Sequence, residues 1–138
     1  MRLPIFKYTS CGNNFVILDE ISGELLCETK KPHFAYYATN QNFGVGCDNF
    51  LVLQACTAAV LEKINAVHRY WDEIPDPNSA DYIFRMFEAD GTEAYSCGNG
   101  LMSVANHLFH YSDIGSSRIL TEIPTSKPTI VTIGTDIR

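Results

Sequence analysis

The sequence predicts a mixed α/β fold, α+β in type, and three observations carry that prediction. Short apolar or alternating segments of strand character recur along the whole chain. Two segments carry apolar residues at helical spacing. Gly, Pro, Asn and Asp clusters separate the elements at close intervals. There are no internal repeats and no low-complexity stretches.

Taken in order, Ile5 to Thr9 and Phe15 to Leu18 predict two short strands. Gly12-Asn13-Asn14 between them is suited to a hairpin turn. Pro32 to Thr39 predicts a short helix with Pro near its start. Gly44-Val45-Gly46 is a tight loop, and Phe50 to Gln54 an apolar strand. Ala58, Leu61, Ile64, Val67, His68 and Trp71 recur at helical spacing, so an amphipathic helix is expected over Thr57 to Trp71. Glu73 to Ser79 is a loop. Tyr82 to Glu88 predicts a strand and Ala89-Asp90-Gly91-Thr92 a turn. A helical pattern follows over Leu101 to His110. Arg118 to Thr121 and Thr129 to Ile133 predict the last strands.

Composition excludes several classes of function. The 138 residues suffice for one domain with a sizeable core. A net charge of −6 supplies no basic patch to displace counterions, so a nucleic-acid partner is not expected. Lys30-Lys31 is the only basic pair of note and predicts solvated surface. The five cysteines, Cys11, Cys27, Cys47, Cys56 and Cys97, form no C-x-x-C pair. Zinc is therefore not expected, and free thiols in a reducing cytoplasm are. No signal peptide and no bilayer-spanning run is visible, so neither secretion nor membrane insertion is expected.

The most informative motif is Cys97-Gly98-Asn99-Gly100 at the start of the third predicted helix. Unpaired N–H groups at a helix N-terminus attract anions and lower a thiol's pKa. A thiolate beside an anion cradle can bind a carboxylate and move a proton next to it. A Gly-rich turn holding a buried Cys fits the tetrapeptide equally well. His107 and His110 share the helix but lie roughly 15 Å from its start, which predicts half-buried or helix-terminal roles. His33 and His68 predict surface or packing roles. Asp90 and Glu93 predict turn hydrogen bonding, and Tyr70 and Trp71 core or interface positions.

Three blocks resemble the diaminopimelate epimerase family. Lys7-Tyr8-Thr9-Ser10-Cys11-Gly12-Asn13-Asn14-Phe15-Val16 is similar to its Gly-Asn-Asp-Phe block. Phe43-Gly44-Val45-Gly46-Cys47-Asp48-Asn49 is similar to its Gly-(Val/Ile)-Gly-x-Asp-Gln loop. Phe87 to Gly100 is similar to its Asn-Ala-Asp-Gly-Ser-Glu and Cys-Gly-Asn-Gly pair. The blocks run in family order over about Lys7 to Leu108, and the stretch from Cys56 to Ser79 has no clear counterpart.

The resemblance implies a mixed, curved sheet wrapped around a central helix, with the site in a cleft between two similar domains. Residues 1–138 would be a single N-terminal domain, cut before the second, with a helical insertion over 56–79. The implied reaction inverts the α-carbon of an amino acid without a cofactor and uses no metal. In the family it interconverts LL- and meso-diaminopimelate for lysine and peptidoglycan precursors. Cys97 matches one catalytic acid/base, and the second would come from the absent C-terminal domain. Gly98, Asn99 and Asn13 match substrate-binding positions. Asn49 stands where the family carries Gln, and Glu88 where it carries a substrate-contacting Asn. Cys11 and Cys47 lie beside matched blocks and are expected near the site, whereas Cys27 and Cys56 predict packing or surface thiols. The isolated chain is expected to hold half a site, to be inactive or nearly so, and to form homo-oligomers. Two other readings stay open: a related proline racemase-like or phenazine-biosynthesis-like isomerase, and a non-catalytic binding or assembly module.

Overall fold

The computed structural model describes residues 2–95, 98–112 and 115–134. Strands β1 (Phe6–Ser10) and β2 (Asn13–Glu20) form an antiparallel hairpin. Cys11 and Gly12 make its turn, with φ of +50° and +86°. Positive φ at both central residues is what a two-residue turn needs to match strand twist. The predicted turn residues Asn13 and Asn14 therefore already belong to β2.

Helix α1 (Lys31–Thr39) opens with Pro32 in its first turn and crosses over to β3 (Asn49–Ala55), which lies parallel to β2. A short 3-10 turn over Glu28–Lys30 precedes α1. Helix α2 (Ala58–His68) follows β3. The Thr57 side chain accepts from Val60 N–H and caps it. The helix stops three residues before the predicted end. Arg69 turns left-handed at φ +56° and sends Tyr70 and Trp71 back across the sheet. Trp71 is buried there, and its Nε1–H donates to Ile123 O at 3.0 Å.

Strand β4 (Tyr82–Phe87) runs antiparallel to β3 and pairs with the two-residue β5 (Glu93–Ala94). Helix α3 (Gly98–Ser112) then leads to β6 (Ser116–Thr121), parallel to β4, and β7 (Thr129–Gly134) follows, antiparallel to β6. The seven-stranded mixed sheet has the order β1-β2-β3-β4-β6-β7, with β5 beside β4.

Strand alternation sorts the core into two faces. Phe15, Ile17, Leu51, Leu53, Phe84, Met86 and Ile119 pack with Val104 and Leu108 of α3. Val16, Leu18, Phe50, Val52 and Phe87 pack with Ala35 and Ala38 of α1 on the opposite face. Ile83 and Leu120 pack there with Leu61 and Ile64 of α2. Helix α3 touches β1 and β7, the two edges of the sheet, as well as β2. A helix can meet both edges only if the sheet curls around it, so α3 is the central helix. None of the helices among the described residues is long and apolar enough to cross a membrane.

Several residues sit differently from their sequence-based expectation. Lys31, expected on the surface, is fully buried; its Nζ lies 2.9 Å from Glu20 Oε1 and donates to Leu26 O at 2.7 Å. Glu93, expected in turn bonding, takes Arg85 Nε at 3.0 Å and Nη2 at 2.7 Å. Arg85 is fully buried and also forks onto Glu28 at 2.6 and 2.7 Å. Glu28 accepts from His68 Nε2 at 2.7 Å, and Tyr70 donates to Glu93 at 2.9 Å. The polar network thus lies under α1 and α2, with the guanidinium also over the Phe87 ring.

Candidate functional site

The three α3-facing rows of the sheet end in polar residues at one end. Phe15 and Ile17 continue outward to Asn13, Leu53 and Leu51 to Asn49, and Phe84 and Met86 to Glu88. Alternation carries all three polar side chains toward the α3 face. Asn49 and Glu88 also stand opposite one another by the β3–β4 register, in which Phe50 faces Phe87. Asn49 Nδ2 donates to Glu88 Oε2 at 2.9 Å and to Phe87 O at 3.5 Å.

Helix α3 begins at the same end. Phe6 packs its ring on His107 and Tyr111, and Tyr8 Oη lies 2.8 Å from His107 Nδ1, so α3 runs antiparallel to β1. From His107 back to Gly98 is about 14 Å of helix, and from Tyr8 on to Gly12 about 14 Å of strand. The helix start is therefore level with the β1–β2 turn, beside Asn13. A Cβ built on Gly98 would meet nothing within 4 Å. A side chain would enter open space there, so packing does not demand glycine at this position.

Local bonds fix these groups. Asn14 N–H donates to Asp48 Oδ2 at 2.7 Å, Asp48 N–H returns a bond to Asn14 O at 2.8 Å, and Thr9 donates to Asn14 Oδ1 at 2.7 Å. The loop before Asn49 is thereby tied to the start of β2. The turn after Glu88 closes by Glu88 N–H to Thr92 O at 2.8 Å, and Asp90 accepts from Thr92 N–H at 2.9 Å, as its turn position predicts.

His107 is fully buried rather than half-buried, because Tyr8 holds Nδ1 and Asp19 accepts from Nε2 at 2.8 Å. Burial pushes the Asp19 carboxyl upward, but the His107 bond and the Ile21 N–H outweigh it and hold the group below the usual carboxylate range. The Tyr8 hydroxyl is pushed up to about 12 by burial and then by Tyr111 and Asp19. This line anchors α3 to the sheet, and no single-sequence signal joins residues so far apart in the chain.

Cys97 lies outside the described residues. Asn99 is half-buried in the first turn of α3. Cys11 is exposed in the hairpin turn. Cys47 is not at the site: it is buried on the α1 face, donates to Ala38 O at 3.5 Å, and burial pushes its thiol up. Among the described residues, no group of three or more His, Cys, Asp or Glu side chains is placed to hold a metal. A cleft of about 300 Å³ lined by Glu20, Gln54, Thr57 and Lys63 lies at the far ends of β2 and β3, away from Asn13, Asn49 and Glu88.

The family profile described as diaminopimelate epimerase matches residues 5–127. The chain belongs to the diaminopimelate epimerase family. It is 32% identical over 108 residues to the diaminopimelate epimerase of Archaeoglobus fulgidus, covering 78% of this chain and 31% of that protein. It is 35% identical over 100 residues to that of Teredinibacter turnerae, covering 72% and 28%. For Methanothrix thermoacetophila the values are 30% over 114 residues, 83% and 33%. The chain thus spans about a third of the length of these curated relatives.

Proposed function

We propose that this chain contributes one half of the site of a cofactor-free amino-acid epimerase acting on diaminopimelate. The observation that carries the reading is the convergence of Asn13, Asn49 and Glu88 on the end of the sheet where α3 begins, directly after Cys97. Membership of the family supports it.

In this reading the Cys97 thiolate removes the α-proton from one face of the substrate. An α-proton beside a carboxylate and an ammonium is very weakly acidic. Its removal is feasible only where preorganised donors stabilise the charge that develops. The N–H groups of Gly98 and Asn99 supply them at the positive end of α3, where they receive the α-carboxylate. The Asn13 amide can both donate and accept, and orients the substrate. The second acid, which reprotonates the opposite face, comes from a second domain of a longer protein. The isolated chain then lacks net turnover.

The test follows loss of the diaminopimelate α-proton signal by NMR in D2O, using the full-length protein. Cys97→Ala should lower exchange and epimerisation by at least about 100-fold. Undiminished exchange in that variant would reject the assignment.

A further inference from the structure

We propose that the cleft at the far ends of β2 and β3 binds a small zwitterion, with the ligand's ammonium on Gln54 Oε1 and its carboxylate at the start of α2. The inference uses none of the residues of the epimerase reading and stands or falls separately from it.

The cleft holds about 300 Å³, at the lower end of the range for small-ligand sites. Its walls are the turn after β2, the end of β3 and the first turns of α2. Gln54 lines it, is 6% exposed, and projects with Val52 to the α1 and α2 side of the sheet. Its Nε2 donates to Glu20 Oε1 at 3.2 Å. A carboxylate only accepts, so this bond fixes which way the amide faces. Oε1 is left facing away from Glu20, buried and without a partner. A buried acceptor in that state is costly, and a donor placed against it is stabilised accordingly. The neighbouring carboxylate oxygens are already bonded. Glu20 takes Lys31 and Gln54 on one oxygen and the Leu25 and Leu26 N–H groups on the other. Glu28 takes Arg85 on both.

The start of α2 supplies the complementary groups. The Ala58 and Ala59 N–H groups have no bond partner among the described residues, whereas Thr57 holds Val60 N–H. Free N–H groups at the positive end of a helix attract a carboxylate. Lys63 lies one turn on from Ala59 on the same face, and a helical side chain leans toward the N-terminus. Its Nζ donates to Glu24 Oε2 at 2.7 Å, and both residues line the cleft with exposed side chains. An exposed pair of this kind parts at little cost. A ligand carboxylate that takes Lys63 releases the Glu24 carboxylate, which then favours a positive donor beside it. A zwitterion replaces both halves of the pair. A simple acid would leave Glu24 unmatched, and a simple amine would leave Lys63 so.

The test uses the 15N-labelled chain and four probes, glycine, β-alanine, 4-aminobutyrate and 5-aminovalerate, which set the two charges at increasing separation. Each is compared with the acid and the amine of the same length. Binding is read from the side-chain NH2 resonances of Gln54 and the amide of Ala59. One separation should bind at least about tenfold more tightly than its acid or its amine. Gln54→Met keeps the buried shape without the acceptor and should weaken that probe at least about tenfold. Ala59→Pro removes one free N–H at the second position of α2, where α1 carries Pro32, and should weaken it at least about threefold. Urea midpoints show which variants fold, and either folded variant suffices. No response to any zwitterion, meaning an internal water only, would overturn the proposal. So would equal binding of the acid or the amine, or unchanged binding in a folded variant.

Discussion

Glu28 shows how much one side chain can bear. Burial raises its pKa, but hydrogen bonds from His68 and Arg85 and the charges of Arg85 and Lys31 outweigh this, taking it from 4.5 to about 2. The folded protein therefore binds fewer protons at this group than the unfolded chain does. Its contribution is complete above the unfolded value of 4.5 and is lost as pH falls toward about 2. At about 1.4 kcal/mol per unit, the contribution is on the order of 3 kcal/mol. Urea unfolding midpoints should fall between pH 5 and 3, within about two units of the ordinary carboxylate range, and Glu28→Gln should flatten that part of the profile. An equally steep decline in the variant would contradict this assignment. Little of this was legible in the sequence. Lys31 resembles a surface residue beside Lys30, and Arg85 is a single cation inside Tyr-Ile-Phe-Arg-Met-Phe. Their acidic partners come from other elements, and only the fold brings them together.

At the scale of elements, Arg85 joins β4 to β5 through Glu93 and to the turn before α1 through Glu28. Tyr70, just past α2, reaches the same Glu93. One guanidinium thus ties together the segments around the hairpin that presents Glu88. Arg85→Ala leaves two carboxylates buried without that partner and should cost about 3–5 kcal/mol. The readout is the urea midpoint at neutral pH, and a shift below about 1 kcal/mol would show the pairs to be dispensable. Most elements were legible, because β2, β3, β4 and α3 carry long, consistent apolar patterns. The end of α2 was not. Apolar spacing runs on through Trp71, and the left-handed Arg69 that ends the helix has no mark in composition. Strand β5 is too short for any pattern.

For the whole molecule, the matched blocks of the sequence point to candidate site positions, whereas nothing in the sequence points to the buried network. The matched blocks single out Asn13, Asn49, Glu88 and Gly98, and strand parity carries the first three toward the α3 face. Cys47 defeated the same reasoning, since a matched block does not say which face a residue takes. The exposed Met102 and Tyr111 of α3 and the neighbouring Tyr95 leave large apolar side chains uncovered. We expect the isolated chain to self-associate, and sedimentation showing a monomer at high concentration would contradict this.

The placement of α3 against both β1 and β7 also sets the order of assembly. Tyr8 and His107 are separated by 99 positions, and closing a loop of that size costs about 4 kcal/mol in chain entropy before any contact repays it. The β1–β2 hairpin can form early, as the chain leaves the ribosome. Its apolar face then waits, unburied, until almost the whole domain has been synthesised. We expect refolding of this domain to be slower than that of an all-helical domain of similar length, with the hairpin's apolar face exposed until α3 docks.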